Sequence, residues 1–272
     1  MRLGIFAKTF TGSDPAAVLA AVKQAGYETT QFNLACAGLP SMPDAVPEQA
    51  ILAIRAAAQS SGVSLVALSG TYNMAHPDKA VRDDGLRRLA VVIETASALD
   101  IPLVTLCTGS RNAADQWAYH PDNATPSAWS DMAAEMAKAL ALAEEAGVDL
   151  GIEPEQANIV TSAADATRLI ADMGSSHLKI VLDPANLFEH ATPDEARAIV
   201  ADAIEEAAGH IAMAHAKDRH GDGRFATAGQ GIVDFPDFVA RLKGAGFDGA
   251  LVTHGLSAGE APGVAAFLRG LL

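Results

Sequence analysis

The sequence predicts an α/β protein, a single (β/α)8 TIM barrel formed by residues 1–272. Short apolar runs alternate with longer amphipathic segments eight times along the chain, which is the pattern of strands that are each followed by a helix. The amino-acid composition does not change along the chain, and there is no low-complexity linker. About 250 residues is the usual length of one such barrel. Together these observations favour one domain over two.

The eight predicted strands are short apolar runs that end in polar or turn-forming residues. They are residues 3–10, 29–34, 64–69, 102–107, 148–153, 179–183, 211–215 and 250–254. The predicted helices are residues 15–24, 47–60, 79–99, 126–145, 163–173, 193–208, 236–243 and 262–271. Several helices have start signals: Asp14, Thr125 and Thr192 each stand before a proline, and Glu195 completes a capping box with Thr192.

A doubly wound sheet is the alternative fold for alternating strands and helices. It normally carries a glycine fingerprint after the first strand, and residues 7–12 (AKTFTG) lack one. In a barrel, the loops that follow the strands form the site face. The long segments 35–46 and 108–125, after the second and fourth strands, are therefore expected to cover the mouth.

The charge of the chain bears on its partners and location. A formal net charge of −14 argues against nucleic acid, because binding to a phosphate backbone needs clustered lysine and arginine. No apolar run approaches the roughly 18 residues of a membrane span. Lys8 ends the first apolar stretch too early for a signal peptide, and Cys36 and Cys107 form no CxxC motif. We therefore expect a cytoplasmic protein with reduced thiols and no membrane partner.

Four metal-competent side chains end four successive predicted strands. They are Glu153, Asp183, His215 and His254, spaced by about one strand-plus-helix unit. The strand order places them at one end of the barrel, and carboxylates with imidazoles suit Mn²⁺, Mg²⁺, Co²⁺, Fe²⁺ or Zn²⁺. Taken singly, His215 is equally explained as a core histidine and Asp183 as a turn cap. Taken together, the four predict a metal site.

The residues around these ligands resemble a known family. The matching segments are 152–154 (IEP), 182–186 (LDPAN), 215–218 (HAKD), 229–235 (GQGIVDF) and, in the third-strand loop, 69–74 (SGTYNM) with 76–78 (HPD). The chain resembles the xylose isomerase-like barrels, the sugar phosphate isomerase/epimerase superfamily. That superfamily includes inosose dehydratases, ketose 3-epimerases and endonuclease IV. The resemblance implies a divalent metal ion and a small-molecule sugar or keto-sugar substrate.

The eighth strand departs from the family pattern. Family epimerases end that strand with a glutamate that is both a ligand and the second acid/base, and His254 stands at this place here. The resemblance implies an isomerase or epimerase that acts by enolisation, with Glu153 as the base and His254 as the partner acid. A metal-dependent lyase or dehydratase is the first alternative, and a non-catalytic sugar-binding barrel is the second. Endonuclease-type DNA repair is disfavoured by the acidic charge.

Polar residues at strand ends and in the following loops are candidates to bind the substrate. They are Gln31, Asn33, Asn73, His76, Arg111, Trp117, Asn186 and Lys217. Arg111 offers a fork of donors to an anion or carbonyl, and Trp117 either stacks on a sugar face or closes a lid. Lys217 and Asp218 either orient His215 or pair with each other. An unphosphorylated substrate is preferred, and a homo-oligomer is a further expectation, although no interface stands out.

Overall fold

Eight parallel strands close into a barrel in this computed structural model, which describes residues 1–272, and the predicted fold class is confirmed. The strands follow one another around the barrel in chain order, and the first pairs with the eighth. From first to eighth they span Arg2–Phe6, Thr29–Phe32, Ser64–Ser69, Leu103–Leu106, Asp149–Ile152, Leu178–Leu182, Ile211–Ala216 and Ala250–Thr253. All carboxyl ends therefore lie on one face.

Eight main helices, α1 to α8, each follow one barrel strand. They span Pro15–Gln24, Glu48–Ser61, Lys79–Ala98, Pro126–Ala146, Ala163–Met173, Pro193–Ala207, Phe235–Gly244 and Ala261–Arg269. Their ends agree with the predicted ones to within two residues because the caps behave as expected. The Thr192 hydroxyl accepts from the backbone N–H of Glu195, whose side chain accepts from Thr192 in return.

The first strand is shorter than predicted, and this is the largest error in the strand bounds. It ends at Phe6, and Ala7–Thr9 form a 3-10 turn closed by the Phe10 N–H on the Ala7 carbonyl. The pairing with the second strand stops where Phe6 faces Gln31, so later residues have no parallel partner. The apolar run 3–10 therefore leaves the sheet and turns over the mouth.

A short hairpin after the seventh strand was not predicted. Asp218–Arg219 pair with Phe225–Ala226, and residues 220–224 form the turn of this hairpin. The carboxylate of Asp218 accepts from the backbone N–H groups of Gly229, Gly231 and Val233 at 2.8–3.0 Å. Asp218 therefore holds together the loop that follows the seventh strand. It neither pairs with Lys217 nor orients His215.

Apolar side chains occupy the inside of the barrel below the mouth. This cluster consists of Val66, Ala67, Leu103, Val181, Met213, Ala250 and Val252. A much larger core lies between the strands and the helices. Above this apolar layer, polar side chains that point inward meet at the carboxyl-end face. No helix combines the length and the apolar character that a membrane crossing requires.

Candidate metal centre and the adjoining cavity

The four predicted ligands meet at the mouth of the barrel. Glu153, Asp183, His215 and His254 each place one ligand atom within 4.8 Å of the others. Glu153, Asp183 and His254 directly follow the fifth, sixth and eighth strands, and His215 lies near the end of the seventh. The structure thus brings together residues that are about 100 positions apart in the chain.

The alternation of side chains along a strand explains why these four residues converge. Residues two apart on a strand face the same side, so each ligand points inward above an inward-facing core residue. Val181, Met213 and Val252 belong to the apolar cluster inside the barrel, and the ligands of the same strands lie two residues further on. The same period carries the buried Gly151 to Glu153 on the fifth strand.

Asp183 is the most deeply buried of the ligands, with no exposed surface. Its Oδ1 caps the following turn through the backbone N–H of Ala185, as one alternative predicted, and its Oδ2 contacts His254 Nε2 at 2.9 Å and Lys217 Nζ at 3.3 Å. Burial raises the pKa of this carboxyl, but the Lys217 ammonium and the His254 hydrogen bond outweigh burial and hold the pKa well below its usual value. Asp183 is therefore a permanent carboxylate.

Glu153 and His215 form a second carboxylate–imidazole contact. Oε1 of Glu153 lies 3.2 Å from Nδ1 of His215. Burial lowers the pKa of His215, but the neighbouring charge and hydrogen bond of Glu153 outweigh burial and raise it. Burial raises the pKa of Glu153, but His215 and its hydrogen bond outweigh burial and lower it. Glu153 is therefore ionised, and it stands on the cavity wall with 19% of its side chain exposed.

His254 differs from His215 in the direction of its pKa shift. Its ring packs at 4.4 Å from the His215 ring, centroid to centroid, and its Nε2 faces Asp183. Burial and the nearby His215 charge lower the pKa of His254 below its usual value, despite the Asp183 carboxylate. The imidazole of His254 is therefore neutral at pH 7, and it too lines the cavity.

Asn186 and Lys217 support the ligands from behind. Asn186 Nδ2 donates to Glu153 Oε1 at 2.7 Å, and Lys217 Nζ donates to Asn186 Oδ1 at 2.6 Å. Both residues are buried, and neither lines the main cavity. The structure thus brings these two predicted substrate contacts to the ligand group, where they hold Glu153 and Asp183 in place.

A cavity of about 390 Å³ opens beside the ligands, on the side of the first four strands. It is lined by Phe6, Lys8, Gln31, Asn33, Ser41, Ser69, Thr71, Thr105, Leu106, Cys107, Gln116, Trp117, Glu153, His215 and His254. Asn33 and Trp117 are thus on its wall, as expected for substrate contacts. Ser41 and Trp117 come from the two long segments predicted to cover the mouth.

Three other predicted substrate contacts lie in the loops behind the cavity wall. The side-chain amide of Asn73 forms hydrogen bonds with the backbone of Ala75 and Ser110, and these bonds connect the third loop to the fourth. Gly109, at a φ of 75°, permits this tie, since a Cβ there would stand 2.1 Å from Asn73 Oδ1. His76 bonds through both ring nitrogens to the backbone of Asp78 and Ala113.

Arg111 is likewise engaged with the protein. Its guanidinium contacts the Asp131 carboxylate at 2.7 Å and the Ala75 carbonyl at 3.2 Å. Only 11% of the side chain is exposed, and Arg111 does not line the cavity. Arg111 therefore links the fourth loop to helix α4, and its predicted contact with an anion or carbonyl stays a prediction.

The cavity wall includes polar residues that were not predicted as substrate contacts. Lys8, Ser69, Thr105 and Gln116 all line it. A signal for Ser69 and Thr105 was present, because each lies two residues beyond an inward-facing core residue of its strand, Ala67 or Leu103. Lys8 was not predicted to line the cavity because the predicted first strand, residues 3–10, included it.

The donor set fits a divalent ion. Two carboxylates and two imidazoles converge, as in sites that hold Mn²⁺, Fe²⁺, Co²⁺ or Zn²⁺. An ion bound between these atoms would replace the present contacts between the carboxylates and the imidazoles. Hydrogen bonds from Asn186 to Glu153 and from His215 to Gln31 supply the outer support that metal ligands usually have.

Comparison with known proteins agrees with the fold. A model of the xylose isomerase-like TIM barrel family matches residues 19–269. Solved structures with the same fold include the 3-keto-D-glucoside 4-epimerase YcjR from E. coli, at 16% identity, with 99% of each chain covered and a TM-score of 0.78. Another is a D-psicose 3-epimerase from Clostridium cellulolyticum H10, at 17% identity, covering 100% of this chain and 99% of that chain, with a TM-score of 0.76. No curated protein matches the sequence.

Proposed function

The chain belongs to the xylose isomerase-like TIM barrel family, and from this premise we propose that it is a divalent-metal-dependent isomerase or epimerase of a sugar or keto-sugar. The observation that carries the proposal is the group of four ligand atoms within 4.8 Å that opens directly on to a polar cavity. The similar barrels named above are epimerases of keto-sugars, which supports the same reaction class here.

The cavity has the chemistry of a sugar site. The amide of Asn33 and the hydroxyls of Ser69 and Thr105 line it, and Trp117 stands half exposed at its edge. Hydroxyl and amide groups match the many donors and acceptors of a sugar, while an indole ring can cover an apolar sugar face. A volume of about 390 Å³ is in the range of small-molecule sites.

Glu153, Asp183, His215 and His254 would hold the metal ion. A divalent ion bound there supplies Lewis-acid stabilisation for negative charge on the carbonyl oxygen of the substrate. The supporting residues keep the ligands ready for it: Lys217 fixes Asp183, and Asn186 fixes Glu153.

Glu153 is the proposed base. Asn186 and His215 both contact its Oε1, so Oε2 makes no hydrogen bond and is free to accept a proton from a C–H group next to the carbonyl. The lowered pKa keeps Glu153 ionised before the substrate binds. Withdrawal of the proton gives the enolised substrate that isomerisation and epimerisation share.

His254 is the proposed partner for the returning proton. It reaches the cavity from the eighth strand, three strands around the barrel from Glu153. The neutral ring can take up a proton, and the imidazolium so formed can give that proton to the substrate. Delivery by His254 to the face opposite Glu153 would invert the carbon, and delivery by Glu153 to the neighbouring carbon would isomerise the sugar.

A β-elimination is the second candidate, and the histidine in place of the family glutamate favours it. Elimination needs one base, Glu153, and one acid that protonates the leaving oxygen on the next carbon. His254 can serve as that acid once it has taken up a proton. Loss of water or alcohol from a keto-sugar, followed by ¹H NMR, distinguishes this reaction from inversion.

Exchange of a C–H proton tests the proposal. Keto-sugars, including ketohexoses and 3-keto-glucosides, are incubated in D₂O with Mn²⁺-loaded protein, and deuterium uptake is measured by NMR. We expect deuterium at the carbon next to the carbonyl, abolished by chelation and by Glu153→Gln. Asp149→Asn is the matched control, because Asp149 begins the same strand and pairs with His177 at the far end of the barrel. Metal-loaded protein that exchanges no C–H proton in any of these sugars contradicts enolisation.

A further inference from the structure

A chain of hydrogen bonds crosses the barrel beneath the proposed metal site. Oε1 of Gln31, on the second strand, lies 2.8 Å from Nε2 of His215 on the seventh. Nε2 of Gln31 donates to the hydroxyls of Ser69 and Thr105, both at 3.1 Å. All four side chains are more than nine-tenths buried. Gln31 is therefore held from the third and fourth strands while its carbonyl oxygen faces the histidine.

A metal ion bound to Nδ1 of His215 would fix which ring nitrogen carries the proton. Nδ1 points at the ligand group, 3.2 Å from Glu153 Oε1 and 3.8 Å from Asp183 Oδ2. A histidine that gives Nδ1 to a metal ion must carry its hydrogen on Nε2. The Oε1 atom of Gln31 is an acceptor in the right place for that hydrogen.

The opposite orientation of the amide conflicts with a bound metal ion. If the Gln31 amide were reversed, its N–H would face the Nε2–H of His215, and two donors would meet in a buried place. The Ser69 and Thr105 hydroxyls can accept from Gln31 without such a conflict. The acceptor orientation is thus the one that a metal on Nδ1 requires.

We propose that Gln31 is a positioning residue for the metal centre, which fixes His215 as a ligand through Nδ1 by accepting its Nε2–H. Gln31 then has no free amide hydrogen for a substrate, because both are donated to Ser69 and Thr105. This differs from the expectation that Gln31 binds a substrate hydroxyl. The inference rests on the metal centre of the proposed function.

Metal titration of folded variants tests the role. Mn²⁺ affinity of metal-free protein is measured by calorimetry for the native chain, Gln31→Leu and Gln31→Glu. We expect Gln31→Leu to bind Mn²⁺ about 10–100-fold more weakly, as for other lost supports of a metal ligand. Gln31→Glu should bind at least as tightly as the native chain, since it keeps an acceptor and the two hydroxyls can turn to donate. Asn33→Ala is the matched control on the same strand, because Asn33 contacts Ala35 and Ser41 but no ligand.

The outcomes separate this inference from the proposed function. A native chain that binds no metal removes the proposed metal centre itself. A native chain that binds metal, with an unchanged affinity in Gln31→Leu, overturns the role of Gln31. An equal loss in Gln31→Leu and Gln31→Glu also overturns it, because packing and not the acceptor would then be responsible.

The native protein supplies a second readout if Gln31→Leu fails to fold. Histidine labelled with ¹⁵N is incorporated, the protein is loaded with diamagnetic Zn²⁺, and His215 is assigned by the loss of its signals in His215→Asn. We expect a hydrogen directly bonded to Nε2 and none on Nδ1. A hydrogen on Nδ1 with a bare or metal-bound Nε2 overturns the inference.

Discussion

The two halves of the barrel mouth are built from different chemistry. Strands five to eight carry the charged ligand group, in which Glu153, Asp183 and Lys217 are held by close contacts to one another or to Asn186. Strands one to four line the cavity with amides, hydroxyls and Trp117, and Lys8 is the single lysine or arginine among the lining residues. The difference separates the two tasks of an enzyme: one half would supply proton transfer and metal binding, and the other would recognise the substrate.

The difference also has an energetic reason. Buried charges are costly unless they are paired, so the ligand half satisfies its carboxylates with imidazole, amide and ammonium groups before any ion binds. The half formed by strands one to four, called the neutral half, has no carboxylate on the cavity wall that must be paired. It can therefore leave hydroxyls free for a substrate. Apart from Gln31, which is proposed to position His215, substitutions in the two halves should therefore fail in different ways.

The largest expected effect is on turnover in the ligand half. Glu153→Gln removes the proposed base but keeps the shape and the acceptor for Asn186. We expect the rate of C–H exchange to fall by about 10²–10⁴-fold, the usual contribution of a general base. The measurement is single-turnover exchange at saturating metal. A rate within a factor of about two of the native rate would assign the base to another residue.

Substitution of His254 tests how metal binding depends on the histidine that stands in place of the family glutamate. His254→Ala removes one of four ligands and should weaken Mn²⁺ binding on the order of 100-fold, while His254→Glu should keep the affinity within about tenfold, since carboxylate oxygens suit the same ions. Calorimetry gives both values. Equal affinity in the native and alanine proteins would show that His254 is no ligand.

Trp117 offers the contrasting change in the neutral half. Trp117→Ala should raise the KM about tenfold, equivalent to the roughly 1.4 kcal/mol of a modest aromatic contact, with little change in kcat. Its Mn²⁺ affinity should equal that of the native protein. A loss confined to kcat, or a loss of metal, would mean that the two halves are not separate in function.

The pH dependence of metal uptake sharpens the charge assignment. The pKa of His215 lies above the usual 6.5, so a proton on Nδ1 competes with the ion as pH falls through that pKa. Mn²⁺ affinity should drop about tenfold per pH unit there, and more steeply at lower pH where His254, with its lowered pKa, also takes a proton. Calorimetry over a series of pH values from about pH 8 downward follows both steps. An affinity that stays flat would contradict ligation by His215.

Arg111 gives the smallest effect and lies outside both halves. Arg111→Met breaks the contacts to Asp131 and to the Ala75 carbonyl, and should lower the free energy of unfolding by about 1–2 kcal/mol. Metal affinity should not change. Denaturant unfolding and calorimetry check the two parts, and a rise in KM without a loss of stability would restore Arg111 as a substrate anchor.

The ligand half was more predictable from the sequence than the neutral half. Glu153, Asp183, His215 and His254 end apolar runs, and the barrel geometry places strand ends on one face regardless of side-chain detail. The cavity side depends on loop paths, which no periodicity specifies. Arg111 has the chemistry of a ligand anchor, but Asp131 on the next helix takes its charge, and such a partner is visible only in three dimensions.

The same limit explains the errors around the mouth. The run 3–10 is apolar enough for a long strand, yet pairing with the second strand ends at Phe6. Asp218 follows the ligand histidine closely in sequence, but its carboxylate turns away to the backbone of the seventh loop. Neither outcome is encoded in the local pattern of residues.

Metal content of the purified protein tests the account most directly. Native protein, Asp183→Asn and the control Asp149→Asn are purified without chelators, incubated with Mn²⁺, Co²⁺ or Zn²⁺, desalted and analysed by inductively coupled plasma mass spectrometry. We predict about one divalent ion per chain in the native protein and the control, and far less in Asp183→Asn. Native protein that retains none of the three metals would contradict the metal centre.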